Sequence, residues 1–160
     1  MRPLKFNLPQ ELVQDGSELR LHVQYAYPKS GLPTRAQFKC FVRAALQQTA
    51  EITLRIVDAL EAQQLNQQYR GKNYVPNVLS FPLTNEPYLL GDIVLCASVI
   101  ATEALAQGKP LLAHYAHLTI HGVLHLQGYD HQNDDEAGLM EALESTILQK
   151  LGYPSPYLHY

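Results

Sequence analysis

Apolar and polar residues alternate through Leu19-Arg20-Leu21-His22-Val23-Gln24-Tyr25, the period-two pattern of a strand with one buried face. After Thr34 the period lengthens to that of a helix. Thr34 can cap a segment running to about Gln48, with Phe38, Phe41, Val42 and Ala45 turned inward. Ile52, Leu54 and Ile56 alternate with Thr53, Arg55 and Val57 and predict a second strand. Asp58-Ala59-Leu60-Glu61 has the form of a capping box, in which Asp58 accepts an amide while Glu61 reaches back. The helix it opens should end near Tyr69-Arg70-Gly71, with the glycine in the left-handed conformation. Val78 to Phe81 and Asp92 to Cys96 are short apolar strands bounded by Pro, Asn and Gly. Further helices are expected at about 97–107, 111–127 and 134–151, closed by Gly108, Gly128 and Gly152, the last capped by Asn133 with Glu136 at its third position. The order of elements predicts an α+β domain: one mixed sheet of about four strands flanked by about five helices, with a metal site at a helix end and the turn after it.

Composition narrows the class. At 160 residues the chain (1–160) is expected to form a single domain, and 46% apolar content with a net charge of −3 argues against disorder. No apolar run approaches the ~18–20 residues of a membrane span. Met1-Arg2-Pro3-Leu4-Lys5-Phe6-Asn7-Leu8 does not look like a secretion signal. Cys40 and Cys96 are far apart with apolar neighbours and read as two buried thiols in a reducing compartment, so a cytoplasmic protein with no membrane partner is expected. The charge is uneven. Residues 1–75 carry ten Lys/Arg against six Asp/Glu (+4), and residues 76–160 carry two against nine (−7). Arg35, Lys39 and Arg43 recur every four residues and should line one side of the first helix.

Five of the seven histidines, His114, His117, His121, His125 and His131, fall within 18 residues. His117, His121 and His125 repeat every four residues and share a helix face, neighbours being ~6 Å apart. Two adjacent imidazoles can therefore converge on one ion, since zinc holds each nitrogen at ~2.0–2.1 Å. Three cannot, because eight residues span ~12 Å of helix axis. A third ligand must come from elsewhere. Gly128 can adopt positive φ, stop the helix after His125 and reverse the chain so that His131 approaches the same ion. His121, His125 and His131 are thus the expected ligands of one zinc ion per chain, with a coordination position left for chemistry. His114 and His117 are assigned to packing or supporting hydrogen bonds. Gly122 stands where a His-Glu-x-x-His protease carries its glutamate base, which argues against peptide hydrolysis of that kind. A glycine inside a helix costs ~1 kcal/mol relative to alanine and marks a close approach of backbone or substrate. Met140 falls in a predicted helix rather than in a methionine turn.

The run His114-Tyr115-Ala116-His117-Leu118-Thr119-Ile120-His121-Gly122-Val123-Leu124-His125-Leu126-Gln127-Gly128-Tyr129-Asp130-His131 resembles the YbeY family of bacterial rRNA maturation factors. Asn66-Gln67-Gln68-Tyr69-Arg70-Gly71-Lys72, Asn77-Val78-Leu79-Ser80-Phe81-Pro82 and Leu90-Gly91-Asp92-Ile93 agree as well, and the likeness covers about residues 50–153. The resemblance implies a mixed sheet flanked by helices, zinc on His121, His125 and His131, and a metal-dependent, single-strand-specific endoribonuclease. It further implies action in 16S rRNA 3′-end maturation and ribosome quality control, with the small ribosomal subunit as partner and no role for DNA. The family's functional arginine falls on Arg70. The chain departs from the pattern at Asn73, where Asp is common, and at Val75-Pro76, which replace Pro-Thr.

Zinc could polarise a phosphoryl oxygen or acidify a bound water to a pKa near ~7, without a dedicated glutamate. The planar fork of Arg70 suits negative charge developing on the phosphoryl group. Lys72 and the stripe Arg35, Lys39 and Arg43 are candidates for holding the RNA backbone. Asp130 could orient a ligand, and Tyr74 or Tyr129 could stack on an unpaired base. Two rival readings remain: a zinc hydrolase of peptides or amides, and a non-catalytic ribosome-assembly factor stabilised by zinc.

Overall fold

The computed structural model describes residues 18–130 and 132–157. Among them the elements run β1 (Leu19–Tyr25), α1 (Arg35–Ala45), β2 (Ala50–Val57), α2 (Ala59–Arg70), β3 (Val78–Thr84), β4 (Leu89–Cys96), α3 (Ala97–Ala106), α4 (Leu111–Leu126) and α5 (Asp134–Lys150). The strands form one sheet in the order β1-β2-β4-β3, with β1, β2 and β4 parallel and β3 antiparallel to β4. This is the mixed-sheet α+β architecture that the hydrophobic pattern predicts.

Register decides what each face of the sheet carries. Val23, Leu54 and Ile93 stand side by side across the strands, as do Tyr25, Ile56 and Leu95. Helices α1, α4 and α5 pack over this apolar side and form the main core with it. Alternate rows set His22 beside Thr53 and Asp92, and Gln24 beside Arg55 and Val94. On that side α2 packs Ala62 and Leu65 against Val57, Leu79, Val94 and Cys96. Helix α4 is the most deeply set. Leu118, Ile120, Val123 and Leu124 are buried, each contributing roughly 1.5–3 kcal/mol by leaving water.

Gly122 lets α4 lie close on the sheet. A Cβ at this position would stand 3.2 Å from Ile93 Cδ1, Ile93 Cγ2 and Ser80 Oγ. Ile93 is fully buried and has nowhere to retreat. Overpacking costs ~1–3 kcal/mol, against ~1 kcal/mol gained in helix propensity. Gly122→Ala is therefore expected to lower the Tm, which a thermal melt followed by circular dichroism checks.

Some boundaries and contacts differ from the sequence reading. Helix α1 ends at Ala45 rather than near Gln48, because β2 already begins at Ala50 and Leu46 caps the helix through its N–H to the Arg43 carbonyl. Strands β3 and β4 extend beyond their apolar cores through Pro82 and Gly91, which face each other in register. Proline is tolerated there because β3 lies at the sheet edge. Asp58 caps α2 by accepting from the Glu61 N–H at 2.9 Å. The Glu61 carboxylate does not reach back, however. It accepts from Arg55 Nε at 2.6 Å and Nη2 at 3.1 Å, so the box is only half formed and Glu61 makes an ion pair instead. The full reciprocal box occurs at α1, between Thr34 and Gln37. Cys96 is buried, but Cys40 is exposed, because its place in α1 lies outside the Phe38, Phe41, Val42 and Ala45 stripe. Both cysteines are free thiols.

Candidate active site

Helix α4 supplies the histidines, and its end fixes how the chain leaves them. The rings of His121 and His125 lie 5.7 Å apart at 70° to each other. Gly128 takes φ +101°, and the helix closes with the Tyr129 N–H on the Leu124 carbonyl and the Gly128 N–H on the His125 carbonyl, both at 3.1 Å. This pair of hydrogen bonds is the Schellman closure, which satisfies carbonyls that the helix end leaves open. Gln127 pins the turn to α1, donating to the Ala45 carbonyl at 2.8 Å and accepting from the Gln47 N–H at 2.6 Å. The glycine reversal is thus as the sequence predicts, but His131 lies outside the described residues. Among the described residues, no three His, Cys, Asp or Glu side chains gather as a metal site. Asp130 approaches His125, with Oδ1 3.8 Å from Nε2.

A carboxylate that the sequence reading did not single out stands behind the histidines. Glu144 of α5 is fully buried. Its Oε2 accepts from His121 Nδ1 at 2.8 Å, and its Oε1 accepts from His117 Nε2 at 2.8 Å and from the Tyr157 hydroxyl at 2.5 Å. Burial alone would raise this carboxyl. The hydrogen bonds from His117 and His121, the proximity of His121 and the bond from Tyr157 outweigh it and hold the group at about 2. Burial and then the Glu144 hydrogen bond push the Tyr157 phenol up. A signal for Glu144 did exist in the sequence. Met140, Glu144 and Leu148 are spaced four apart, and all three are buried, so a glutamate interrupts the inward stripe of α5. His117 has the supporting hydrogen-bond role expected of it.

The end of α2 lines the same cleft as the histidines. Gly71 adopts φ +66°, as predicted, and its N–H closes on the Gln67 carbonyl. Buried Asn66 accepts from Arg70 Nη1 at 3.3 Å and donates to the Tyr74 carbonyl at 3.0 Å, tying the helix end to the next loop. Arg70, Tyr74, Ser80, Glu103, His121 and His125 all line one cleft of about 440 Å³. Among the described lining residues Glu103 is the one carboxylate. It accepts from Asn77 Nδ2 at 3.1 and 3.2 Å, and it hydrogen-bonds His114 Nε2 at 2.8 Å. The sequence offered no carboxylate beside His121, but the fold brings one into the cleft from α3. Pro76 is a buried part of the cleft wall, and Asn73 accepts from Gln63 Nε2 at 3.1 Å, which is what the two departures from the family pattern do here.

The other candidates are dispersed. Lys72 is exposed just beyond α2. Arg35 and Lys39 line a groove against β1, at the sheet edge opposite β3, and Arg43 is half-buried further along the same helix. The cleft therefore takes in Arg70 with the histidines, whereas Arg35 and Lys39 line a separate groove. Tyr74 lines the cleft, whereas the Tyr129 hydroxyl donates to Gln47 Oε1 at 3.2 Å.

Burial lowers the pKa of His114 against the opposing pull of the Glu103 hydrogen bond. Folded His114 therefore resists a proton that the unfolded chain accepts below ~6.5, so stability falls as pH drops through that value. Between pH 7 and 5 the wild type should lose more Tm than His114→Gln does, as parallel melts across that range would show.

Comparison with known proteins bears on the family and the fold. The sequence model of the family described as Endoribonuclease YbeY matches residues 34–152. A Methylobacillus flagellatus protein named Endoribonuclease YbeY is 54% identical over 139 residues, covering 87% of this chain and 93% of its own. Its namesake in Nitrosomonas europaea is 53% identical over 156 residues, with coverages of 98% and 94%. The Thiobacillus denitrificans protein of that name is 57% identical over 142 residues, with 88% and 97%. The solution structure of a Thermotoga maritima protein superposes with a TM-score of 0.54 at 21% identity, covering 88% of this chain and 99% of that one, and shares the fold. The relatives are RNA-cleaving hydrolases by name. This chain belongs to the YbeY endoribonuclease family. The family match begins at Thr34, so the likeness takes in α1 as well as the later segments. Among the described residues no helix is long and apolar enough to cross a membrane.

Proposed function

We propose that the chain is a zinc-dependent endoribonuclease that cuts single-stranded RNA and acts in 16S rRNA 3′-end maturation on the small ribosomal subunit, in the cytoplasm. The observation that carries this reading is the shared cleft, whose lining holds Arg70 together with His121 and His125. The donor chemistry fits zinc. Two rings on one helix face stand 5.7 Å apart, and the Nδ1–H of His121 is committed to Glu144, which makes Nε2 the lone-pair nitrogen. His121 and His125 would hold the ion, with His131 supplied from the reversed chain. When bound, the ion supplies Lewis-acid chemistry.

The chain's own residues would then do the following. Arg70 binds the phosphoryl oxygens and stabilises the charge that grows on them. Asn66 and Gly71 fix the helix end from which Arg70 reaches. Glu103, oriented by Asn77 and His114, is the acid–base group that the cleft offers for the proton of the nucleophile or the leaving oxygen. Tyr74, half exposed at the cleft, gives an unpaired base a surface on which to stack.

The test is cleavage of matched single-stranded RNA, duplex RNA and single-stranded DNA by zinc-loaded and chelator-treated protein. Zinc-dependent cutting of single-stranded RNA supports the reading; equal cutting of all three, or cleavage of a peptide library instead, overturns it. Accumulation of unprocessed 16S 3′ ends in cells that lack the chain, cured by wild type but not by Arg70→Ala, tests the cellular role.

A further inference from the structure

We infer that Glu144 and Tyr157 are positioning residues of the zinc site, so that the carboxyl-terminal segment completes it from behind by setting the ring of His121. The inference rests on the reading of His121 as a metal ligand. Three donors converge on one fully buried carboxylate: His121 Nδ1, His117 Nε2 and the Tyr157 hydroxyl. No Lys or Arg is among these partners, so the charge is held by hydrogen bonds from groups on α4 and the terminal segment. A buried carboxylate is costly unless it is hydrogen-bonded in this way.

The direction of each bond matters. An imidazole that donates Nδ1–H to a carboxylate has its tautomer and its ring angle fixed, and its other nitrogen becomes a better ligand. Glu144 Oε2 does this for His121. Oε1 meets His117 and Tyr157, which set the carboxylate plane from the opposite side. His117 also packs edge-on to the Tyr157 ring at 5.7 Å, and its Nε2 lies 3.2 Å from the Tyr157 hydroxyl. The segment carrying Tyr157 is itself tied down. Ser155 Oγ lies 2.7 Å from Ser145 Oγ and accepts from the Tyr157 N–H at 3.2 Å, while Tyr153 packs against Phe41 at 6.3 Å. The path Ser155–Tyr157–Glu144–His121 is continuous, and it links the chain's terminal turn to the wall of the cleft.

The experiment is a zinc competition titration against a chromophoric chelator, using the full chain well below its Tm. Long-range 1H–15N spectra of the zinc-free protein read the His121 tautomer. Glu144→Ala is expected to weaken zinc roughly 10–100-fold, as outer-shell losses do at zinc sites, and to release His121 from the Nδ1–H form. Glu144→Gln, whose amide oxygen can still accept from His121, should recover at least half of that loss on a logarithmic scale. Tyr157→Phe, which removes one hydroxyl and keeps the ring, should weaken zinc several-fold with the fold intact. Because Glu144→Ala could unfold the chain, Tyr157→Phe and the tautomer spectrum keep the test decisive. Wild-type zinc affinity in Tyr157→Phe, or wild-type affinity with an unchanged His121 tautomer in a folded Glu144→Ala, would overturn the inference. His121→Ala separates the two readings: if it binds zinc as wild type does, the metal assignment itself fails. If it loses zinc while the Glu144 and Tyr157 variants keep it, only the positioning role fails.

Discussion

Replacing His125 by alanine should strip the protein of stoichiometric zinc and of RNA cleavage while leaving it folded. The ring lies on the cleft side of α4, outside the core cluster that holds Leu118, Ile120, Val123 and Leu124. Alanine favours the helix, and removal of a partly exposed ring costs on the order of 1 kcal/mol or less. Two ligands cannot hold zinc as three do, so binding should collapse where stability does not. Metal analysis of the purified variant and a thermal melt read the two quantities separately. Full occupancy with activity retained would place the metal elsewhere.

Arg70→Ala should lower kcat by roughly 10²–10³ while KM moves far less, because an interaction made mainly as charge develops is lost from the transition state and not from binding. Arg70 is exposed and its one described side-chain bond, to Asn66, is 3.3 Å long, so its removal disturbs little of the fold. Arg70→Lys keeps a charge without the planar fork and should recover only part of the rate. Single-turnover kinetics on a short unstructured RNA separate these terms. A rise in KM alone would make Arg70 a uniform binding contact instead.

Much of the fold was legible because each element announces itself locally. Leu19–Tyr25 alternates, Thr34 and Asn133 cap, and Gly71 and Gly128 take the positive φ that their helix ends need. Legibility stopped where a residue's role depends on distant partners. Glu61 looked like half of a capping box until Arg55, across in β2, claimed its carboxylate. Cys40 follows Lys39 and precedes apolar Phe41, and it lies on the outer face of its helix. Glu103 enters the cleft from α3, 18 positions before His121, and no spacing rule reaches that far. Glu144 was the nearest miss: its place among Met140 and Leu148 was visible, but its partners on α4 were not. The basic stripe of α1 was a sound periodicity, but where it sits relative to the histidines is decided by strand order.

The seat of α4 on the sheet also governs the aperture of the cleft. Ser80 lines that opening from β3 and donates to the Gly122 carbonyl at 3.3 Å, so one point of contact joins the floor to the wall that bears the imidazoles. The missing Cβ at residue 122 therefore works as a gauge: it sets how closely the helix that carries the imidazoles can lie on the strand that lines the cleft.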